Sequence, residues 1–251
     1  MNNRDEKITG GDIVLPQSKI GKFFDNLWYH YKWHIIIIGF FVTVFGICFV
    51  QCATTVRSDI MLTYAGAYQL KGEEKIEIDK LLTSLMKADT EEDSKTVAIN
   101  PYAIYSEEEL KALYFEEGMT AEQIRAANTA FASAKKNNMD AMSNLSNFLM
   151  TGESAVLFVS EWLYTDKMVK EPERMMPLQD VLGAVPASAY DGYAIRLSET
   201  DLYREYAVLG VLPEDTLIIL MQPTFAGKIS DEATFAIHKE LFCKIVATKP
   251  E

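Results

Sequence analysis

The side chains able to do chemistry are few, and their spacing limits what they could do. Asp89, Glu91 and Asp93 stand at alternate positions in KADTEEDSKTV, residues 87–97. Carboxylates so spaced can open a calcium loop, because a hard cation takes about six to eight oxygen ligands. Such a loop needs glycine at its sixth position and a bidentate glutamate at its twelfth, and here those are Ser94 and Asn100. The three acids thus carry half of a calcium pattern, and a solvated acidic loop is the plainer reading. No cofactor is expected. Histidine chemistry is nearly excluded: of three histidines, His30 and His34 flank an apolar run and only His238 lies elsewhere, at the edge of an apolar helical stripe where packing is its ordinary role. No second histidine or cysteine pair accompanies it to hold zinc, and no Gly-x-Ser-x-Gly, phosphate-binding loop or HExxH run occurs. A carboxylate-based hydrolase stays open as an alternative, because 36 Asp and Glu make chance pairing easy. It requires two facing carboxyls, one with a raised pKa.

Binding is the other chemistry to place. Five short segments read as strands: Asp59–Tyr64, Thr96–Asn100, Ala155–Ser160, Tyr193–Leu197 and Leu217–Gln222. SAVLFVS and TLIILMQ are nearly continuous apolar runs, as in strands covered on both faces. Helical spacing separates them. Lys75–Lys87 carries Ile76, Ile78, Leu81, Leu82 and Leu85. A second helix opens at a Thr120/Gln123 capping box and stops at Gly152, with Asn137-Asn138 as a place where it could break. A third starts at Ser230 and turns Phe235, Leu241, Phe242 and Ile245 inward. Strands alternating with helices predict an α/β domain with a mainly five-stranded sheet between helices. In such sheets ligands bind beyond the carboxyl ends of strands. That rule makes Tyr64, Asn100, Tyr102, Ser160, Glu161 and Trp162 the ligand-binding candidates, with Tyr164 beside them; core capping is the competing role. Met175-Met176 and Met139/Met142 read as gap fillers.

The compartment comes from WYHYKWHIIIIGFFVTVFGICFVQC. No charged residue occurs from Ile35 to Val56, a window of 22 residues. As helix that is roughly 33 Å, enough for a hydrocarbon core of about 30 Å. Twelve of its first sixteen residues are Ile, Phe or Val, which together favour insertion by roughly 4 to 7 kcal/mol. Trp28, Tyr29, Tyr31 and Trp33 precede it as an interfacial aromatic belt. A cleaved signal has a shorter basic start and a shorter apolar region, so an uncleaved anchor is expected. Phe49-Val50-Gln51 lacks the small residue that a lipid-modified Cys52 requires before it. The organisation predicted is a cytosolic arm (1–34) ending in a juxtamembrane amphipathic helix, a transmembrane helix (35–54) and an extracytoplasmic domain (57–251). Lys19, Lys22 and Lys32 before the span are balanced by Arg57, Lys71 and Lys75 after it, and the long arm with few acidic residues slightly favours the N-terminus inside and the C-terminal domain outside.

Charge and cysteine narrow the partners. The arm carries five basic and four acidic residues, so of the chain's net −12 the remainder holds −13. An acidic domain repels phosphate, which argues against nucleic acid as a partner. The lipid bilayer, and another membrane or cell-surface protein, fit better. Cys48 and Cys52 belong to the span or its edge, leaving Cys243 alone, so no intramolecular disulfide is expected in the outer domain.

Two stretches carry resemblances. SKIGKFFDNLWYHYKWHIIIIGFFV resembles the N-terminus of uncharacterised single-pass membrane proteins of clostridia-like bacteria, which implies a membrane location and says nothing of an activity. NFLMTGESAVLFVSEWLY, supported by LPEDTLIILMQPT, is similar to a segment of extracellular solute-binding proteins, in which a helix ends at glycine and a strand leads into ligand contacts. That likeness implies ligand contacts at Ser160 to Trp162. A solute-binding protein has two lobes and a longer chain, so it implies one lobe at most. The expectation is a membrane-anchored extracytoplasmic binding or assembly protein without readable catalytic machinery. A tethered solute-binding-like receptor for a small molecule is the alternative.

Overall fold

The computed structural model describes residues 19–54, 58–88, 90 and 94–247. The calcium candidates Asp89, Glu91 and Asp93 lie outside the described residues. The chain divides into two units, 1–57 and 58–251.

The first unit holds α1, Lys19–Thr54, one unbroken helix of 36 residues. The proposed juxtamembrane and membrane helices are therefore continuous. Within α1, Tyr31–Val50 is long and apolar enough to cross a membrane, and none of it is buried against protein. Phe40, Phe41, Val42, Phe45, Phe49 and Val50 are all exposed, so only a partner surface or lipid can remove them from water. The Thr43 hydroxyl donates to the Gly39 carbonyl at 2.9 Å, which satisfies a polar group in the middle of the apolar run. Tyr29, Tyr31 and Trp33 are exposed near its N-terminal end; the Trp28 side chain lies outside the described residues.

The second unit runs β1 (Ile60–Gly66), α2 (Gly72–Leu85), β2 (Val97–Ala103), α3 (Glu107–Ala112), α4 (Ala121–Met150), β3 (Val156–Ser160), α5 (Glu161–Asp166), α6 (Leu178–Leu182), β4 (Ala194–Arg196), α7 (Asp201–Glu205), β5 (Thr216–Leu220) and α8 (Glu232–Val246). All five strands fall where alternation and apolar runs place them. They form one sheet in the order β2-β1-β3-β5-β4. β1 pairs parallel with both β2 and β3, while β5 runs antiparallel to β3 and to β4.

The apolar runs are explained by two cores, one on each face. Val156 and Phe158 of β3 point to the face covered by α2 and α8, with Ile78, Leu82, Leu241 and Phe242. Leu157 and Val159 point to the face covered by α4 and α5, with Leu145, Leu149 and Leu163. Successive strand side chains face opposite ways, so a strand inside a three-layer sandwich must be apolar at every position. Each fully buried large side chain contributes about 1.5–3 kcal/mol.

Local signals set the helix ends. The Thr120 hydroxyl accepts from the Gln123 N–H, and the Gln123 side chain accepts from the Thr120 N–H at 2.8 Å. At the other end Gly152 adopts φ +64 after the C-cap residue Thr151, as a left-handed helix stop does. α4 does not break at Asn137-Asn138. α8 begins one residue later than expected: Asp231 is its N-cap, accepting from the Thr234 N–H at 2.8 Å, while Ser230 ends a short 3-10 turn. The edge strand β2 is held from α2, whose Asp79 carboxylate accepts from the Ile99 N–H at 2.6 Å. Helix side chains thus occupy groups that an open edge would expose.

Candidate ligand-binding site

The carboxyl ends of β1 and β2 open onto a groove of about 550 Å³ on the α4 side. Its wall comes from four places. Gln69 follows β1, Ala103 ends β2 and Tyr105 lies just past it, Leu110, Leu113 and Tyr114 come from α3 and the turn after it, and Ser133, Asn137 and Asn138 with two alanines come from α4. No lining residue is charged, in a chain of net −12.

Three devices hold this wall. The Asn138 amide oxygen accepts from the Tyr105 N–H at 2.9 Å, and its NH2 group donates to the Tyr105 carbonyl at 2.8 Å. One side chain therefore closes both backbone groups of the residue just past β2 and ties α4 to the sheet. The Ile104 N–H donates to the Gly66 carbonyl at 2.9 Å, which carries the β1–β2 pairing into the same turn. The Tyr114 ring meets Phe131 edge-on at 6.3 Å, and Phe115 meets the same ring at 5.5 Å. With Asn138 spent on backbone, the Gln69, Tyr105, Tyr114, Ser133 and Asn137 side chains have no hydrogen bond to another described residue. Burial raises the Tyr105 hydroxyl pKa, helped by the nearby Tyr114 and Glu109, so this phenol stays a donor near neutral pH. Tyr64, named as a strand-end candidate, does not line this groove: it packs in the core on the α2 and α8 face, fully buried, and its hydroxyl has no partner among the described residues. Burial holds its pKa far above the ordinary phenol range. Gly66 leaves room for that ring: a Cβ there would lie 2.8 Å from the Tyr64 hydroxyl oxygen.

The residues named from strand ends divide between this edge and the next one. Asn100 and Tyr102 sit on β2, where the Asn100 NH2 group donates to the Tyr102 hydroxyl at 3.1 Å and the Tyr102 ring packs on Phe148 at 6.1 Å. Ser160 is buried and spends its hydroxyl capping α5, accepting from the Leu163 N–H. Glu161 accepts from Arg196 at 2.6 Å and from the Tyr190 hydroxyl at 3.1 Å. Its carboxyl is held below the usual range, first by the Arg196 hydrogen bond. Beside it the Tyr164 hydroxyl donates to Asp191 at 2.5 Å, and Arg196 stands 5.3 Å above the Tyr190 ring. Trp162 packs half-buried against the α4-side core. Ser160 and Glu161 thus have protein partners, while Trp162 stays partly exposed.

The carboxyls that depart from ordinary values, Asp59, Glu74, Glu107, Glu161, Asp166 and Asp231, are all lowered. A facing pair with one raised pKa, which hydrolysis would need, is not among them. Among the described residues no cluster of three or more His, Cys, Asp or Glu could hold a metal. His238 is buried, and its Nδ1 accepts from the Ala155 N–H at 3.5 Å. A second concavity of about 280 Å³ lies between α4 and residues 163–175, with Met142, Met168, Met175 and Met221 in its wall. Leu149, Arg174 and Met221 also line a neighbouring hollow of about 380 Å³ beside the fully exposed Phe225.

Strand-end reasoning missed Gln69, Tyr105, Tyr114, Ser133 and Asn137. The signal it could have used is the pair Asn137-Asn138 on a helix that must pass over the sheet to reach β3. Compared with protein-family models, curated proteins and solved structures, the chain matches none.

Proposed function

We propose that this chain is a single-pass membrane protein that holds an α/β binding domain outside the cytoplasm. The observation that carries the binding reading is the uncharged groove at the carboxyl ends of β1 and β2, with five unspent polar side chains around it. Its volume lies within the roughly 300–1,000 Å³ of small-molecule sites, and its position follows the strand-end rule. Anchoring rests on the exposed apolar face of α1. The N-terminus-inside orientation rests on the long N-terminal arm with few acidic residues, since Lys19, Lys22 and Lys32 are matched in number by Arg57, Lys71 and Lys75.

The test has two arms. After alkaline extraction of membranes the chain stays in the pellet, and protease added to intact cells degrades residues 58–251. Recovery in the aqueous fraction, or protection of that domain, overturns the anchored reading. In the second arm, a screen of small neutral ligands raises the unfolding temperature of the full chain, and substitution at Asn137 removes the shift. Assembly with a membrane partner is the second reading, favoured by the methionine-lined concavity and exposed Phe225. Methionine surfaces adapt to apolar partners, so a stoichiometric protein retained in mild detergent and lost on Phe225→Ser supports it.

A further inference from the structure

We infer that the groove at the carboxyl ends of β1 and β2 binds a neutral saccharide. This rests on the reading of that groove as the ligand site. The inference follows from what the wall offers and what it lacks. An anionic ligand held there would meet no cation in the wall, and a cationic one no carboxylate, so each would trade hydration for uncharged partners only. A purely apolar ligand would cover the exposed Gln69, Ser133 and Asn137 and the half-buried Tyr105 and Tyr114 without replacing their hydrogen bonds to water. A neutral molecule that is polar around its rim and apolar on its faces meets both demands, and a pyranose is such a molecule. Its hydroxyls can each donate and accept, matching amides and hydroxyls that do the same. Its C–H faces need an aromatic ring, and Tyr114 supplies one, braced by Phe131. The groove of about 550 Å³ has room for a mono- or disaccharide.

The supply can be a free sugar or the end of a polymer, and the same wall would read either. The experiment uses the full chain in an ethoxylated-alcohol detergent, because glycoside detergents would compete. Maltose, cellobiose, N-acetylglucosamine and chitobiose are titrated by calorimetry, beside a neutral tripeptide and glucuronate; cellulose and chitin particles are tested for pull-down. The expected result is saturable binding of at least one neutral sugar and none of glucuronate. Asn137→Ala, an exposed position, weakens binding about five- to tenfold for one lost hydrogen bond. Tyr114→Ala weakens it about tenfold while Tyr114→Phe retains the stacking part, which separates ring contact from a folding defect. Free-sugar binding without pull-down points to a soluble ligand, and pull-down blocked by the free disaccharide points to a polymer end. Binding of the tripeptide alone, lost in Asn137→Ala, overturns the sugar and keeps the groove as the site. Binding indifferent to both substitutions, or no binding at all, overturns both.

Discussion

His238 makes a quantitative test of the packing. Its imidazole is 1% exposed on α8, against the start of β3. Burial, then the nearby Lys228 ammonium, pushes its pKa down from 6.5 to about 4. The folded state therefore holds a neutral ring, and the unfolded chain takes up the proton first as pH falls. Stability is full above pH 6.5 and is lost between pH 6.5 and 4. For those two pKa values linkage gives a loss of about 2 kcal/mol by pH 5 and about 3 kcal/mol by pH 4. For a domain of this size the loss at pH 5 corresponds to a melting temperature about 4–8 °C below that at pH 7. Asp59, Glu161 and the other carboxylates held below their ordinary range titrate lower, and His238→Gln keeps His30 and His34, so the difference between the two proteins isolates this ring. Calorimetric melts of the full chain and of His238→Gln, which keeps an acceptor for Ala155, should diverge: the parent slopes and the variant runs nearly flat. Equal slopes in the two proteins would refute the buried neutral histidine.

Further outcomes follow from other contacts. Asn138→Ala removes two hydrogen bonds to the Tyr105 backbone and should cost about 1–3 kcal/mol in denaturant unfolding; no loss would mean that α4 is held to the sheet by apolar packing alone. Gly227 has φ +88 and ψ −172, and a Cβ there would overlap the Thr151 carbonyl oxygen, so Gly227→Ala should cost roughly 3 kcal/mol or more, read as a lowered melting temperature. Glu161→Gln breaks a half-exposed pair with Arg196 and should change stability by less than about 1 kcal/mol; a far larger loss would show that the pair carries more than surface charge. Phe41→Arg with Val44→Arg adds about 6–8 kcal/mol to the cost of insertion, which cancels the apolar gain, so this double variant should leave the alkali-resistant membrane pellet.

What could be read from sequence is what neighbouring residues decide among themselves. The apolar run of α1 is legible because a span needs only length and composition. The Thr120/Gln123 box and the Gly152 stop are legible because a cap is closed within a few residues. SAVLFVS and TLIILMQ announced strands covered on both faces, since alternation disappears when both sides are buried. Ser230 misled by one residue because Asp231 beside it offers a stronger acceptor to the Thr234 N–H. Ser160 was legible as a strand end but not as a helix cap, because the same serine at that junction can serve a ligand or a backbone N–H.

The tertiary structure alone decided how those pieces meet. No local pattern says that β5 lies between β3 and β4 and runs against both, because the choice belongs to the packing of helices on two faces. Nor could spacing bring Gln69, Tyr105, Tyr114 and Asn137 to one wall, since residues far apart in the chain converge only once α4 crosses β1 to reach β3. Elements form from short-range periodicity and capping, whereas a site forms from the long-range pairing that sets which strand ends lie side by side.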